Sequence, residues 1–316
     1  MGYVTKYGSF WGMIPQTSGR VFWVAPSASY TVEGRAYSAS DNNDGLSPER
    51  AVLTLDYAIG LCTANVGDVI VLLPGAHSWS ASVAVDVAGI TITGIPRGNF
   101  HHESRMPISG TKCVSTVTTS ATADEIMNVT AANVEICHLH FIAIAGAATV
   151  DFTSAATNLH IHDCTWNITT SEGTATMGIY CLSAADMVMI DHNFAYVVGN
   201  QGPWFRSVGG PANSYIENNT VILEGATAWD DVIEVTTGAV GLVIRDNDFM
   251  SSTETAILTD VVDITGNTAD GEVHLVGNRF PVGSDALQSS ATPDATFNLN
   301  YLGTSSGGTG GGLVTA

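Results

Sequence analysis

The residues best equipped for chemistry fall into two sets. The first is a row of His and Asp, namely His138, Asp163 and Asp191, each third in a short recurring motif, with His162 and His192 alongside. Imidazole and carboxylate groups are ligands for divalent metal ions, and stacked carboxylates repel one another unless a cation or protons intervene. The simpler account of this row is a solvated turn edge, because it repeats with the motif instead of converging on one point. The second set is Asp230, Asp231 and Glu234, with Glu224 nearby and Trp204 and Trp229 available as platforms for sugar rings. Hydrolysis of a glycosidic bond calls for two carboxylates about 5 to 10 Å apart. Here too, acidic residues on an acidic chain are the simpler account. Arg206 and Arg245 are the central basic residues, and neither lies in a motif for polysaccharide elimination. No Ser-His-Asp order, phosphate-binding loop or dinucleotide fingerprint occurs.

The elements that must position these residues are set by a repeat. A motif of an aliphatic residue, two variable residues, a frequent Asn, one more residue and then an aromatic or Val begins at Ile136, Ile161, Met189, Ile216, Ile244 and Leu275. The steps are 25, 28, 27, 28 and 31 residues. A near-constant period of this size predicts a solenoid in which each repeat is one coil stacked on the last. A second strand precedes each motif, at 126–130, 150–153, 179–183, 204–208, 232–236 and 261–265, with aliphatic residues alternating inward. Stacking the motifs puts Leu139, Cys164, His192, Asn219, Asn247 and Asn278 in one column, where the asparagines suit a ladder at a bend. Phe141, Trp166, Phe194, Val221, Phe249 and Phe280 form a second column that fills the interior.

Ahead of the coils, Ser47 and Pro48 open a predicted helix whose apolar face is Val52, Leu55, Ile59 and Cys62, and which caps the open solenoid end. The chain therefore divides into an arm at 1–36, a β-helix at 37–282 and a C-terminal segment at 283–316 with a Gly-rich tail. The arm carries Tyr3, Tyr7, Phe10, Trp11, Phe22 and Trp23. It reads either as a cap strand on the solenoid or as an attachment arm. Residues 97–118 interrupt the period and are expected to loop out.

Composition narrows the partners. Net charge is −20, with only Lys6 and Lys112 as lysines, so a nucleic-acid backbone has no basic stripe to grip. No apolar run reaches the roughly 20 residues of a membrane helix, and the start of the chain carries no signal-peptide pattern. Five cysteines without zinc-type spacing read as buried free thiols, and no cofactor is expected.

The order DG…SPERAVLTLDYAIG…VGDVIVLLPGAH, followed by coils such as GITITG, resembles the right-handed parallel β-helix superfamily of pectate lyases, bacteriophage tailspikes and virion surface proteins. The resemblance covers roughly 36–282. It implies an all-β right-handed solenoid and, with the missing catalytic set, a non-enzymatic bacteriophage virion surface protein, made in the host cytoplasm. On this reading the chain decorates the capsid as a homotrimer, with the major capsid protein as partner and the aromatic arm as the attachment. The alternative is a tailspike or fibre that binds or cleaves cell-surface glycans. Any enzyme among these readings would be a glycoside hydrolase or polysaccharide lyase.

Overall fold

In the computed structural model, the described residues are 17–95, 115–119, 125–143, 149–168, 178–198, 203–224, 231–237, 239–251, 261–264, 273–280, 287–288, 295–298, 300–302 and 313–314. They form a right-handed parallel β-helix with three long sheets of ten, ten and eight strands and one short α-helix. A coil visits the sheets in order. In the third coil, Glu135–Cys137 lies on the first sheet, His140–Ala143 on the second and Val150–Phe152 on the third. The next strand of the first sheet, His160–His162, pairs in parallel register with Glu135–Cys137. Eight coils are complete, counting from Val69–Leu72. At about 4.8 Å per rung they make a rod of about 40 Å.

Alternation decides which side chains fill the rod. On the first sheet the middle residue of each strand points inward. Strand register aligns Phe22, Ile70, Ile92, Ile136, Ile161, Ile190, Ile216, Ile244 and Leu275 in one fully buried column. On the second sheet Phe141 stacks on Trp166 with ring centroids 5.1 Å apart, and Phe249 stacks on Phe280 at 5.7 Å. Each buried aromatic of this kind removes a large apolar area from water at roughly 25 cal/mol per Å².

Two corners turn the coil, and both use the left-handed backbone region. Between the first and second sheets, His138, Asp163, His192, Asn218, Asp246 and Gly277 all have φ between 51° and 69°. Between the third and first sheets, Gly89, Asn133, Asn158, Met187, Asn213 and Gly241 have φ between 47° and 71°. Gly and Asn are the residues that enter this region at low cost. The first corner splits the recurrent motif, so its opening residues lie on one sheet and its closing residues on the next. A coil thus has three strands, where the sequence pattern shows two.

The first corner also corrects the register of one repeat. Ile190, not Met189, pairs with Ile161 and Ile216, so the third copy begins one residue later than its sequence suggests. The ladder position is therefore filled by Leu139, Cys164, Asn193, Asn219, Asn247 and Asn278, and the inward aromatic column has Ala195 in place of Phe194. The four asparagines are buried. Asn219 donates to Ile190 O at 2.9 Å and to Asn247 Oδ1 at 3.0 Å, and its own Oδ1 accepts from Asn193 N at 3.0 Å.

At the N-terminal end the structure revises two expectations. Val21–Val24 is a strand of the first sheet, parallel to Val69–Leu72. Phe22 and Trp23 are accordingly 2% and 1% exposed and belong to the fold, not to an attachment surface. Trp23 packs outside the sheet with Val69, Val71 and Tyr30, under a hairpin of Ser29–Val32 and Arg35–Ser38. Residues 48–62 do not form one helix. Pro48–Arg50 is a single 3-10 turn, Val52 bridges Val24, and the α-helix is Leu55–Leu61, capped by Thr54, whose hydroxyl accepts from Tyr57 N. Leu55, Ala58 and Ile59 close the end of the interior.

The interruption is shorter than expected, because Ser115–Thr119 pairs with Gly75–Trp79 in the second sheet. Strands also continue past residue 282, with Leu287–Gln288 on the third sheet and Ala295–Asn298 on the first. Tyr3, Tyr7, Phe10 and Trp11 lie outside the described residues, as does the Gly-rich run at 303–312.

Candidate functional site

The outward face of the first sheet carries the densest group of reactive side chains. Strand alternation places two outward columns on it. One runs Thr91, Glu135, His160, Met189 and Tyr215, and the other Thr93, Cys137, His162, Asp191, Glu217 and Arg245. Columns of this kind bring residues from different coils within contact distance, because rungs are only about 4.8 Å apart.

His162 is the centre of the group. Its Nε2 lies 2.9 Å from Glu135 Oε1 and its Nδ1 lies 2.9 Å from Asp163 Oδ2. Burial works against a charged ring, but hydrogen bonds with Asp163, Cys137 and Glu135 push its pKa up to about 12. The bond from His162 brings Glu135 down to about 2 against the opposing effect of burial, helped by Thr91, whose hydroxyl donates to Oε2 at 2.7 Å. Burial raises the pKa of the Cys137 thiol, yet the neighbouring His138 and His162 lower it on balance. Sγ of Cys137 is 3.3 Å from Thr93 Oγ1. One oxygen of Glu135, the sulfur of Cys137 and one ring nitrogen of His162 all lie within 4.8 Å of one another.

One coil further on, Asp191 makes a second cluster. It receives His160 Nε2 at 2.6 Å on one oxygen and His192 Nδ1 at 2.6 Å on the other. Burial would raise its pKa, but these two rings hold it below the usual carboxylate range. The His160 and His162 rings stack at 4.1 Å and join the clusters.

The sequence row His138, Asp163 and Asp191 is thus only partly assembled. The register shift puts Asp191 in the column of His162, while Asp163 and His138 occupy the left-handed corner. Asp163 is bonded to His162, and the His138 ring sits 6.0 Å from that of His162. His138 and His140 do not share a face, since the corner separates them and His140 Nδ1 lies 2.7 Å from Thr165 Oγ1 on the second sheet. Glu135 and Cys137 went unseen as partners of His162. The available signal was alternation, which puts residues 135, 137, 160 and 162 on one face once adjacent coils are aligned.

The second set of candidates lies on the third sheet. Its outward row is Asn128, Asp151, Tyr180, Arg206, Glu234 and Asp263. Glu234 Oε2 is 3.0 Å from Arg206 Nε, an ion contact whose angle falls short of a formal hydrogen bond. The Arg206 guanidinium lies over the Tyr180 ring at 5.9 Å. Asp151 is three rungs from Glu234, about 14 Å, too far for a paired-carboxylate hydrolase. Trp204 is 1% exposed, with its ring 6.0 Å from Trp166 inside the solenoid, so it is core and not a sugar platform. Gly178 passes so close that an added Cβ would lie 2.6 Å from the Trp204 ring. Asp231 is half-buried just before Ile233–Val235, and Trp229 and Asp230 lie outside the described residues. Cys62, Cys137, Cys164 and Cys181 are free thiols.

Comparison with known proteins defines the architecture more widely. Pectin methylesterase PemA from Erwinia chrysanthemi superposes with a TM-score of 0.56 at 10% identity, covering 92% of each chain. The Aspergillus niger pectin methylesterase gives 0.55 at 12% identity, over 91% of this chain and 86% of that one. A pectin methylesterase in complex with a hexasaccharide gives 0.54 at 9% identity, over 82% and 88%. Identity at this level establishes the shared parallel β-helix and nothing about chemistry. No protein-family model matches the sequence, and no curated protein is detectably similar to it.

Proposed function

We propose that the chain is a non-enzymatic surface protein of a bacteriophage particle, decorating the capsid as a homotrimer. The observation that carries this reading is the use made of the arginines in the coils. Arg206 is paired with Glu234, Arg245 with Glu217 and Arg279 with Asp248. Each partner is the residue directly opposite on the adjacent rung. Among the described residues of the coils these cations are committed to joining rungs, whereas an enzyme acting on an acidic polysaccharide needs positive charge turned toward its substrate. A net charge of −20 keeps such rods soluble and mutually repelling at high surface density. The resemblance of residues 36–282 to the parallel β-helix superfamily, which includes bacteriophage tailspikes and virion surface proteins beside pectate lyases, is compatible with the same reading.

The test is the copy number of this chain per purified particle, measured against the major capsid protein by quantitative mass spectrometry. Hundreds of copies support decoration. A few copies would move the protein to the tail, and absence from particles would overturn the proposal. Attachment through the arm is tested by deleting residues 1–16, which should release the protein from particles while the coils stay folded.

A second reading, polysaccharide binding or cleavage as in a tailspike, is favoured by one observation. Asp151 is pushed up to about 7 by burial and then by the charge of Glu125, and its Oδ1 is buried without a hydrogen-bond partner. A carboxyl held protonated near neutral pH is suited to donating a proton. Glycan cleavage lost in Asp151→Asn would establish this reading, and equal activity in the variant would remove the residue.

A further inference from the structure

We propose that Glu135, Cys137 and His162 hold a zinc-class divalent ion between the third and fourth coils. The three donor atoms already lie within 4.8 Å of one another. Zinc draws sulfur to about 2.3 Å and nitrogen or oxygen to about 2.1 Å, so small side-chain rotations suffice to close the site. The donor set selects the metal class. A thiolate, an imidazole and one carboxylate suit zinc and its neighbours, whereas calcium and magnesium take shells of oxygen.

Three features make this a built site instead of a chance grouping. The ligands stand on paired strands, with Cys137 directly opposite His162 and Glu135 two residues along the same strand. Each ligand also has an outer partner that fixes its orientation. Asp163 takes the Nδ1 side of His162 at 2.9 Å, Thr91 donates to the second oxygen of Glu135 at 2.7 Å, and Thr93 lies 3.3 Å from the sulfur of Cys137. A carboxylate behind a ligating imidazole is the usual outer contact of such metals. Finally, burial is graded. Cys137 is 1% exposed, while Glu135 and His162 are half-buried and leave a way in from solvent.

On binding, the thiol proton of Cys137 and the Nε2 proton of His162 leave to solvent. The ion then replaces the Nε2–Glu135 hydrogen bond with a bond to each group, and water completes the fourth position. The ion would thus act as a cross-link between two coils that are otherwise joined there by strand pairing and one imidazole bridge.

The experiment uses the full chain, stripped with chelator and equilibrated with zinc sulfate in the presence of excess calcium, then dialysed and assayed for metal by mass spectrometry. About one zinc per chain is expected, falling at least tenfold in Cys137→Ser and His162→Gln, with Cys62→Ser unchanged. Cobalt in place of zinc should give a thiolate charge-transfer band that Cys137→Ser abolishes. Glu135→Gln, at a half-buried position, serves if the Cys137 variant does not fold. Wild-type protein that retains less than a tenth of an equivalent of zinc overturns the proposal, leaving His162 as an imidazolium bridge. Zinc retained equally by wild type and the Cys137 and Glu135 variants overturns it too.

Discussion

The corner between the first and second sheets is built in two ways along one rod. In the fifth to eighth coils the position just after the left-handed residue is Asn193, Asn219, Asn247 or Asn278, each buried and bonded back to the preceding rung. In the third and fourth coils the same position holds Leu139 and Cys164, which carry no amide, and the ladder ends where Asn193 reaches back to Cys164 N and Ile161 O. The polar residues of those two coils lie instead on the outside of the first sheet, where Glu135, Cys137, His160 and His162 gather. At one end interior amides that do not titrate reinforce the exterior Arg–carboxylate pairs between rungs. At the other the corner position carries no amide, and exterior His–carboxylate contacts tie the rungs. The lesson is that one backbone turn accepts either arrangement, so reactive groups can be concentrated in a few coils without altering the path of the chain.

The contrast breaks most sharply at the ladder. Asn219→Leu removes three hydrogen bonds and leaves Ile190 O and Asn193 N buried without partners. At about 1–3 kcal/mol for each orphaned group, the expected cost is about 4 kcal/mol, measured by urea unfolding.

The titrating half is sharpened by two opposed groups in the third coil. Burial depresses His140 to about 4, despite its bond to Thr165, and raises Asp151 to about 7. As pH falls from 6.5 to 4 the unfolded chain protonates its histidine first, so His140 makes the fold less stable, by at most about 3 kcal/mol. Folded Asp151 takes up its proton before the unfolded chain does, so over the fall from pH 7 to 4 it makes the fold more stable, by a similar amount. The two contributions offset each other. Relative to wild type, Asp151→Asn should steepen the loss of stability on acidification and His140→Gln should lessen it, read from denaturation midpoints at several pH values. Changes of the same sign relative to wild type in the two variants would refute this assignment.

A smaller effect is expected from moving ladder chemistry into the other half. Leu139→Asn buries an amide beside Cys164, which offers no carboxamide to pair with, and should cost about 2 kcal/mol in urea unfolding. The smallest change concerns the other corner. Met187 is 52% exposed at φ 56°, where the neighbouring coils use Asn158 and Asn213. Met187→Asn should stabilise by about 1 kcal/mol, seen as a higher urea midpoint.

Much of this architecture is legible in the sequence. The period, the inward aliphatic column and the stacked Asn219, Asn247 and Asn278 follow from spacing alone, because a solenoid repeats its constraints in every turn. The slip at Met189 arose because two adjacent aliphatics, Met189 and Ile190, both fit the start of the motif. Only pairing across rungs separates them. The split at the first corner was hidden for a related reason, since a positive φ leaves no mark in sequence when His138, Asp163 or His192 occupies it in place of Gly. Phe22 and Trp23 were misleading because four residues are too few to show a strand period. The cluster around His162 was the hardest to see, as its members come from two coils and meet on a diagonal.

Each interior coil bonds only to the coil before it and the coil after it. A rod held at its two ends and pulled along its axis would therefore fail by unravelling from an end, not by shearing as a block. Each released turn would pay out a contour of roughly 90 Å, given about 3.4 Å per extended residue. The force trace should be serrated, its teeth spaced by the sequence period, with the tallest teeth where interior amides tie successive turns together.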